Sequence, residues 1–349
     1  GDVYKRQPFN IFKKLSRLLG LNKWRYSDAS LGIVGKGYHG KHIFGLAIGY
    51  PSPDKRTRWP SPGQMFLKPW WNEQSKIDKR RPKTRLAITE TLPLEEFITT
   101  CNVDYSALRR RNTRIKRIIE ASDNLIVEGH ATKHGCTKLV VSLGKRKKRF
   151  VQLSGSDVRN KIDREVLKRF GILAGMYDNL PGGEVFFTPE NITGTAVGDV
   201  VINIDRSYAL GKKPLVVKFT KGKWKLLKAP RNVEKRIRKE LRDVRKLIKL
   251  YEKNKALPKR VITSYRENFK RVGEFAINTN PKAKLSRYLI VNEKLANMIH
   301  IALGSGFEPD RQTLYHWDFV IDVPAQRISI KAHAGGRERY IIKEGRFVI

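Results

Sequence analysis

The chain has 349 residues, with 72 Lys and Arg against 33 Asp and Glu, a formal charge of +39. Two cysteines, Cys101 and Cys136, exclude a disulfide scaffold and a cysteine-rich zinc module, and no apolar run approaches the ~18 residues that span a bilayer. At 40% apolar the chain can bury a sizeable core, and its length suits two domains. The basic excess points towards phosphate-bearing or otherwise acidic partners without naming a chemistry.

Residues 2–7 read DVYKRQ, which back-translates to a transposase adapter used in shotgun sequencing, so residues 1–7 are expected to be an artefact and stay outside fold reasoning. Residues 8–20 suit a short amphipathic helix with Ile11, Leu15, Leu18 and Leu19 apolar. Residues 31–50 are glycine-rich and 51–85 are rich in Pro, Trp and base, which reads as loops joining short strands. Gly35, Gly37 and Gly40 spell GxGxxG, but a dinucleotide site needs a helix next, and KHIFGLAIGYPSP reads as a strand and a proline-bounded turn. They are therefore read as loop glycines, and His39 and His42 beside them have no third ligand in view.

Residues 104–121 suit a helix capped by Asp104, with Leu108, Ile115, Ile118 and Ile119 on one side. A boundary follows near residue 122, giving an α/β N-terminal domain (8–122) and an α+β metal-binding domain (123–349). Strands are expected at 125–127, 139–143, 150–153, 185–188, 200–204 and 215–219. Residues 232–257 read as one long basic helix with Val233, Ile237, Leu241, Val244, Ile248 and Tyr251 at helical spacing. From Val272 short strands return, and the segment around His300 suits a helix or a strand.

Basic clusters stand at 79–81, 109–111, 145–149 and along 232–257, with Trp59, Trp70 and Trp71 as stacking candidates. Either they are a solvated surface or they contact nucleic acid or another polyanion.

Four later segments concentrate metal-ligand residue types in apolar surroundings. In LPGGEVFFTP a Pro-Gly-Gly turn delivers Glu184 to the lip of an apolar strand, where a carboxylate is costly unless charge-paired. RVGEFAINTNP places Glu274 inside an apolar run, and MIHIALGSGF does the same for His300. In LYHWDFVI, strand alternation puts His316 and Asp318 on one face and Tyr315, Trp317, Phe319 and Ile321 on the other. A rigid apolar backing is what a metal-ligand pair needs.

GGEVFFTP, VGEFAINTNP, NEKLANMIHIALG and HWD, in that order, resemble the motifs of the aminopeptidase T/aminopeptidase S family of dinuclear metallo-exopeptidases. Residues 103–123 and 135–146 resemble the helix and first strand that lead into its metal domain, so the resemblance spans roughly residues 100–349. It implies a thermophilic-metalloprotease-like fold, a homodimer, peptide substrates, a cytoplasmic setting, and two divalent ions (zinc, cobalt or manganese). Carried over by position, Glu184 would bind one metal, Glu274 would bridge both, and His300, His316 and Asp318 would complete the pair. Glu293 matches an acidic position that would support the ligands or meet the substrate amine.

Some positions depart from the family. Phe307 stands seven residues after His300, where the family commonly has Tyr, and loss of an oxyanion-stabilising hydroxyl could cost about 10²–10³ in rate. Fifteen residues lie between His300 and His316, fewer than the family pattern, Lys138 replaces an acid, and the basic helix widens the gap between the two glutamates.

Two other readings remain open. His300, His316 and Asp318 alone would suit a mononuclear Fe(II) ring-cleaving dioxygenase of related fold, such as those acting on dihydroxypyridines. A basic nucleic-acid- or ribosome-associated protein on an inert peptidase fold is the non-enzyme alternative.

Overall fold

The computed structural model describes residues 23–27, 32–36, 43–49, 84–90, 92–144, 149, 151–154, 177–255, 257 and 259–349. The proposed adapter at 1–7, the helix at 8–20, His39, His42, the basic cluster at 79–81, most of that at 145–149, and Trp59, Trp70 and Trp71 lie outside the described residues.

In chain order β1 (Lys23–Ser27), β2 (Gly32–Lys36), β3 (Ile43–Gly49) and β4 (Thr84–Glu90) precede helices α1 (Leu94–Cys101) and α2 (Tyr105–Glu120). Strands β5 (Asn124–Glu128), β6 (Lys138–Ser142), β7 (Gln152–Ser154), β8 (Tyr177–Asn179), β9 (Glu184–Phe187) and β10 (Asn191–Gly198) follow. Next come β11 (Val201–Asn203), β12 (Ser207–Ala209), β13 (Leu215–Thr220), β14 (Lys223–Lys228), α3 (Arg231–Lys253) and α4 (Lys259–Glu267). The last part holds β15 (Val272–Asn278), α5 (Leu289–Asn292), β16 (Met298–Gly304), β17 (His316–Asp322), β18 (Ser329–Ala334), β19 (Arg337–Lys343) and β20 (Arg346–Phe347).

These elements make a mixed α/β structure with three sheets. One runs β1-β2-β3-β4-β8, with β3, β4 and β8 mutually parallel. Two are antiparallel: β14-β13-β10-β6-β5-β18-β19-β20 and β12-β11-β17-β16-β15-β9-β7. Gly35 lies within β2 rather than in a loop, and the next described element is strand β3; Gly37 and Gly40 lie outside the described residues.

The two antiparallel sheets share one core. Leu125, Val127, Leu139 and Val141 from the eight-stranded sheet join Ile277, Ile301, Phe319 and Ile321 from the seven-stranded sheet in a single buried cluster. Helix α2 adds Ile115, Ile118 and Ile119 to that core, and α3 adds Val233, Ile237, Leu241, Val244 and Ile248. Alternation explains the sheets: β5 and β6 bury every second residue, while β15, closed in on both sides, buries all seven. The boundary expected near residue 122 has α2 on its N-terminal side, yet α2 packs into the larger core, and Asn112 Nδ2 donates to the Glu184 carbonyl on β9 (3.4 Å).

Asp104 caps α2 as its sequence suggests, its carboxylate accepting from the Ser106 and Ala107 amides at 2.9 Å each. The long helix is shorter than expected. It stops at Lys253, with Asn254 as C-cap and Lys255 in the left-handed region (φ 49°), and α4 is a separate element. His300 lies on a strand. Strand β10 is not evident in the sequence because Gly194 interrupts its pattern. A Cβ there would stand 2.0 Å from the Lys138 carbonyl oxygen, so only glycine admits β6 alongside.

Phe319 projects from the middle of β17 into the shared core and is fully buried. Phe319→Ala should cost about 3–5 kcal/mol, read as a lowered denaturation midpoint.

Candidate metal centre

Four neighbouring strands, β17, β16, β15 and β9, each present polar side chains on the face opposite the core. On β15 Glu274, Ala276 and Asn278 share that face while Phe275 and Ile277 enter the core. Antiparallel register aligns Glu274, Ala302 and Asp318 in one row and Ala276, His300 and Val320 in the next. Glu184 pairs with Asn278 at the start of β9. Alanines between the ligand types leave room for a shared centre.

A register shift between Val272 and Glu274 marks a bulge at Gly273. A Cβ on Gly273 would stand 2.0 Å from the Ser305 carbonyl oxygen, and this close approach positions Ser305. The same carbonyl accepts from His316 Nδ1 at 2.7 Å. His300 Nδ1 is held likewise by Asn278 Oδ1 at 2.7 Å. Both imidazoles therefore turn Nε2 into the cluster, the arrangement by which outer partners orient metal-binding histidines.

The Nε2 atoms face carboxylates. His300 Nε2 lies 3.2 Å from Glu274 Oε1, 3.8 Å from Glu184 Oε2 and 3.9 Å from Asp318 Oδ1. His316 Nε2 lies 3.3 Å from Glu274 Oε2 and 3.1 Å from Asp318 Oδ1. Three sets of ligand atoms each fall within 4.8 Å: Glu184, Glu274 and His300; Glu274, His316 and Asp318; Glu293, His300 and Asp318. All five residues expected to bind metal thus meet in one place, and Glu293 joins them at ligand distance.

Lys294 is the residue missed in the sequence. It is fully buried, with Nζ 2.5 Å from Glu184 Oε1 and 3.2 Å from Glu293. Beside Glu293 in the NEK tripeptide it reads as an ordinary surface pair; its apolar neighbours Ile290, Val291 and Leu295, all buried, were the available signal. The pair answers the expected cost of placing Glu184 on an apolar strand. Asn278 and Ser305 were also missed, because their role depends on contacts across the fold.

Phe307 sits at the edge of the cluster, its ring centroid 4.9 Å from that of Phe186 and 5.7 Å from that of His316. Its loop is tied down by Arg149, which pairs with Glu190 (2.6 Å), Glu308 and Asp310 (3.0 Å). Lys138, by contrast, is 75% exposed on β6 and lies 3.8 Å from Glu128, away from the cluster.

Burial and mutual charge set the electrostatics. Burial pushes the Glu184 carboxyl up to about 8 against the pull of Lys294, and raises Glu293 in the same way. Burial would also raise Glu274, but hydrogen bonds from His300 and His316 hold it down at about 2. Burial alone would lower the imidazoles. Glu274 instead lifts His300 to about 9, and Asp318 and Glu274 lift His316 well above its ordinary value.

The cluster has the chemistry of a divalent-cation site. Glu184 Oε2 and Asp318 Oδ2 are buried oxygens with no hydrogen-bond partner, and a buried unpaired carboxylate oxygen is costly. Four carboxylates face a single lysine and two imidazoles, an acid excess that bound cations would neutralise.

These features define a cluster on an antiparallel sheet that could hold a metal ion. No protein-family profile matches the chain, and no curated protein matches it in sequence. Among solved structures, 2,5-dihydroxypyridine dioxygenase from Pseudomonas putida KT2440 shares the fold, with a TM-score of 0.52 at 16% identity over 87% of this chain and 71% of that chain. Among the described residues no helix is long and apolar enough to cross a membrane.

Protonation of the cluster sets a pH dependence for the metal-free protein. Glu184 moves from an ordinary 4.5 to about 8 and His300 from 6.5 to about 9, so the folded state holds extra protons between pH 4.5 and 9. Stability should therefore fall as pH rises through that window. Glu274, lowered from 4.5 to about 2, acts only in acid, adding stability as pH rises from 2 to 4.5. In chelator, Tm should decline from pH 5 to pH 9. The increment from added zinc should grow over the same range, because binding displaces protons.

Proposed function

We propose that the chain is a metal-dependent hydrolase that binds two divalent cations side by side and removes N-terminal residues from peptides. Glu274 carries this reading: its Oε1 faces His300 while its Oε2 faces His316, and each of the three ligand sets contains a single imidazole. A carboxylate addressing two imidazoles separately is suited to bridging two ions. Glu184, Glu274 and His300 would hold one ion, and Glu274, His316 and Asp318 the other, with zinc, cobalt or manganese compatible with this donor set. When bound, such ions supply a hydroxide near neutral pH and polarise a carbonyl.

The remaining residues support and select. Lys294 fixes Glu184 through Oε1 and leaves Oε2 turned towards His300. Glu293, 13% exposed against 3% or less for the other three carboxylates, is the acid most open to a substrate ammonium. Phe186 and Phe307 form an apolar wall that favours apolar or aromatic first residues. The ordered resemblance to the aminopeptidase T/aminopeptidase S motifs supports the same reaction.

A second reading has the fold comparison behind it, since a solved structure that shares this fold is a dioxygenase. His300, His316 and Asp318 form a two-His-one-carboxylate set suited to one Fe(II) ion and O₂, and the aromatic wall would take a planar ring. The buried glutamates distinguish the two, because a mononuclear iron centre uses neither Glu184 nor Glu274.

Metal analysis of the purified chain decides between them. The hydrolase reading expects about two ions per chain, with hydrolysis of phenylalanyl- or leucyl-p-nitroanilide in zinc, cobalt or manganese and loss of both turnover and bound metal in Glu274→Gln. One iron per chain with oxygen uptake on 2,5-dihydroxypyridine would replace it with the second reading. In the hydrolase, Phe307→Tyr should raise kcat by up to about 10²–10³, since it restores a hydroxyl beside the reacting carbonyl.

A further inference from the structure

Helix α3 carries ten Lys and Arg and four acids in 23 residues, and nothing in the metal centre uses them. Its apolar stripe, Val233, Ile237, Leu241, Val244 and Ile248, is consumed by the core, which turns the basic side outward. Lys235, Arg238, Lys239, Arg242, Arg245, Lys246, Lys249 and Lys253 are exposed along that side. At 1.5 Å per residue the track from Lys235 to Lys253 runs about 27 Å with a cation on every turn.

The acids neutralise only part of this track. Glu234 pairs with Arg238 at 2.6 Å and Asp243 lies 3.7 Å from Lys239. Among the described residues Arg242, Lys246 and Lys249 have no carboxylate within salt-bridge distance, and Arg245 engages the Phe269 ring at 4.9 Å. The positive region continues off the helix to Lys270, which lies 4.7 Å over the Trp224 ring. Burial, and then the charges of Arg245 and Arg238, lower the pKa of the Lys270 ammonium, so the cations crowd one another. Holding unneutralised like charges together is unfavourable, and a polyanion relieves it.

We infer that the outer face of α3 is a docking surface for a nucleic-acid duplex, bound through its phosphates without reading bases. A cation on each helical turn suits a regularly spaced line of phosphates, and the +39 charge of the chain adds a long-range attraction. A membrane surface fits poorly, because an interfacial helix needs its apolar face free and this one is buried. A single strand fits less well, because Trp224 is buried and Phe269 half-buried, leaving no aromatic of this patch fully open for base stacking.

Fluorescence anisotropy with labelled duplex DNA and duplex RNA of about 20 base pairs, titrated between 50 and 200 mM salt, tests this. The full chain should bind both duplexes with strong salt dependence. The combined variant Arg242→Gln, Arg245→Gln, Lys246→Gln, Lys249→Gln should bind at least tenfold more weakly and flatten the log–log salt slope by about 3–4. The combined variant Lys212→Gln, Lys213→Gln, Arg337→Gln, Arg339→Gln removes the same charge from exposed positions elsewhere and should keep the wild-type slope. Circular dichroism of both variants checks that the fold is retained. Equal weakening by the two variants would reduce the effect to net charge and overturn the assignment. So would absence of duplex binding at 50 mM salt, or equal affinity for phosphatidylserine vesicles or polyglutamate. None of these outcomes depends on whether the metal centre hydrolyses peptides.

Discussion

Carboxylates buried close together repel one another, and this repulsion organises the polar half of the molecule. Glu184, Glu274, Glu293 and Asp318 meet on one sheet face with little access to water, so each must find a positive group or stay protonated. Lys294 serves Glu184 and Glu293, and the two imidazoles serve Glu274 and Asp318. The partition is uneven. Glu274 receives both histidines and ionises readily, whereas Glu184 retains a proton well above the ordinary carboxylate range. Buried ion pairs of this kind return little net stability, so their presence is better explained by the centre they build.

The opposite face of the same sheet makes that arrangement affordable. Val185, Phe187, Phe275, Ile277, Ile299, Ile301, Trp317 and Phe319 anchor the four ligand strands in the core shared with the eight-stranded sheet. Because side chains alternate, each ligand follows or precedes a residue fixed by close packing. The ligands therefore have little freedom to retreat from one another, and the strain of gathering them is borne by hydrophobic burial.

How much of this was legible in the sequence depended on whether the information was local. The alternation in LYHWDFVI placed His316 and Asp318 on one face, and the Pro-Gly-Gly turn before Glu184 set it at a strand's start, because both depend on neighbours in the chain. The metal-ligand types in four ordered segments converge on one sheet face. Asn278 and Ser305 were not legible, since an amide acceptor and a backbone carbonyl acquire their roles from contacts across the fold, and Lys294 was signalled only by its apolar neighbours. Strand β10 was obscured by Gly194, whose purpose is a close approach to β6, and the end of α3 was obscured by a periodicity that runs on past Asn254. Helix α2 shows the same limit at the scale of the fold: the pattern change after it suggested a boundary, while its buried face belongs to the larger core.

Ser305 has two neighbours whose requirements differ. Its carbonyl holds the His316 ring, and two residues later the same loop presents Phe307 to Phe186. The Phe186–Phe307 contact and the orientation of the His316 ring are thus parts of one short stretch of chain, pressed against Gly273 on one side and clamped through Glu308 and Asp310 on the other. Sequence change that moves this loop also perturbs the imidazole. Under the proposed function, a change of substrate preference made in this loop would therefore carry a change of metal affinity with it.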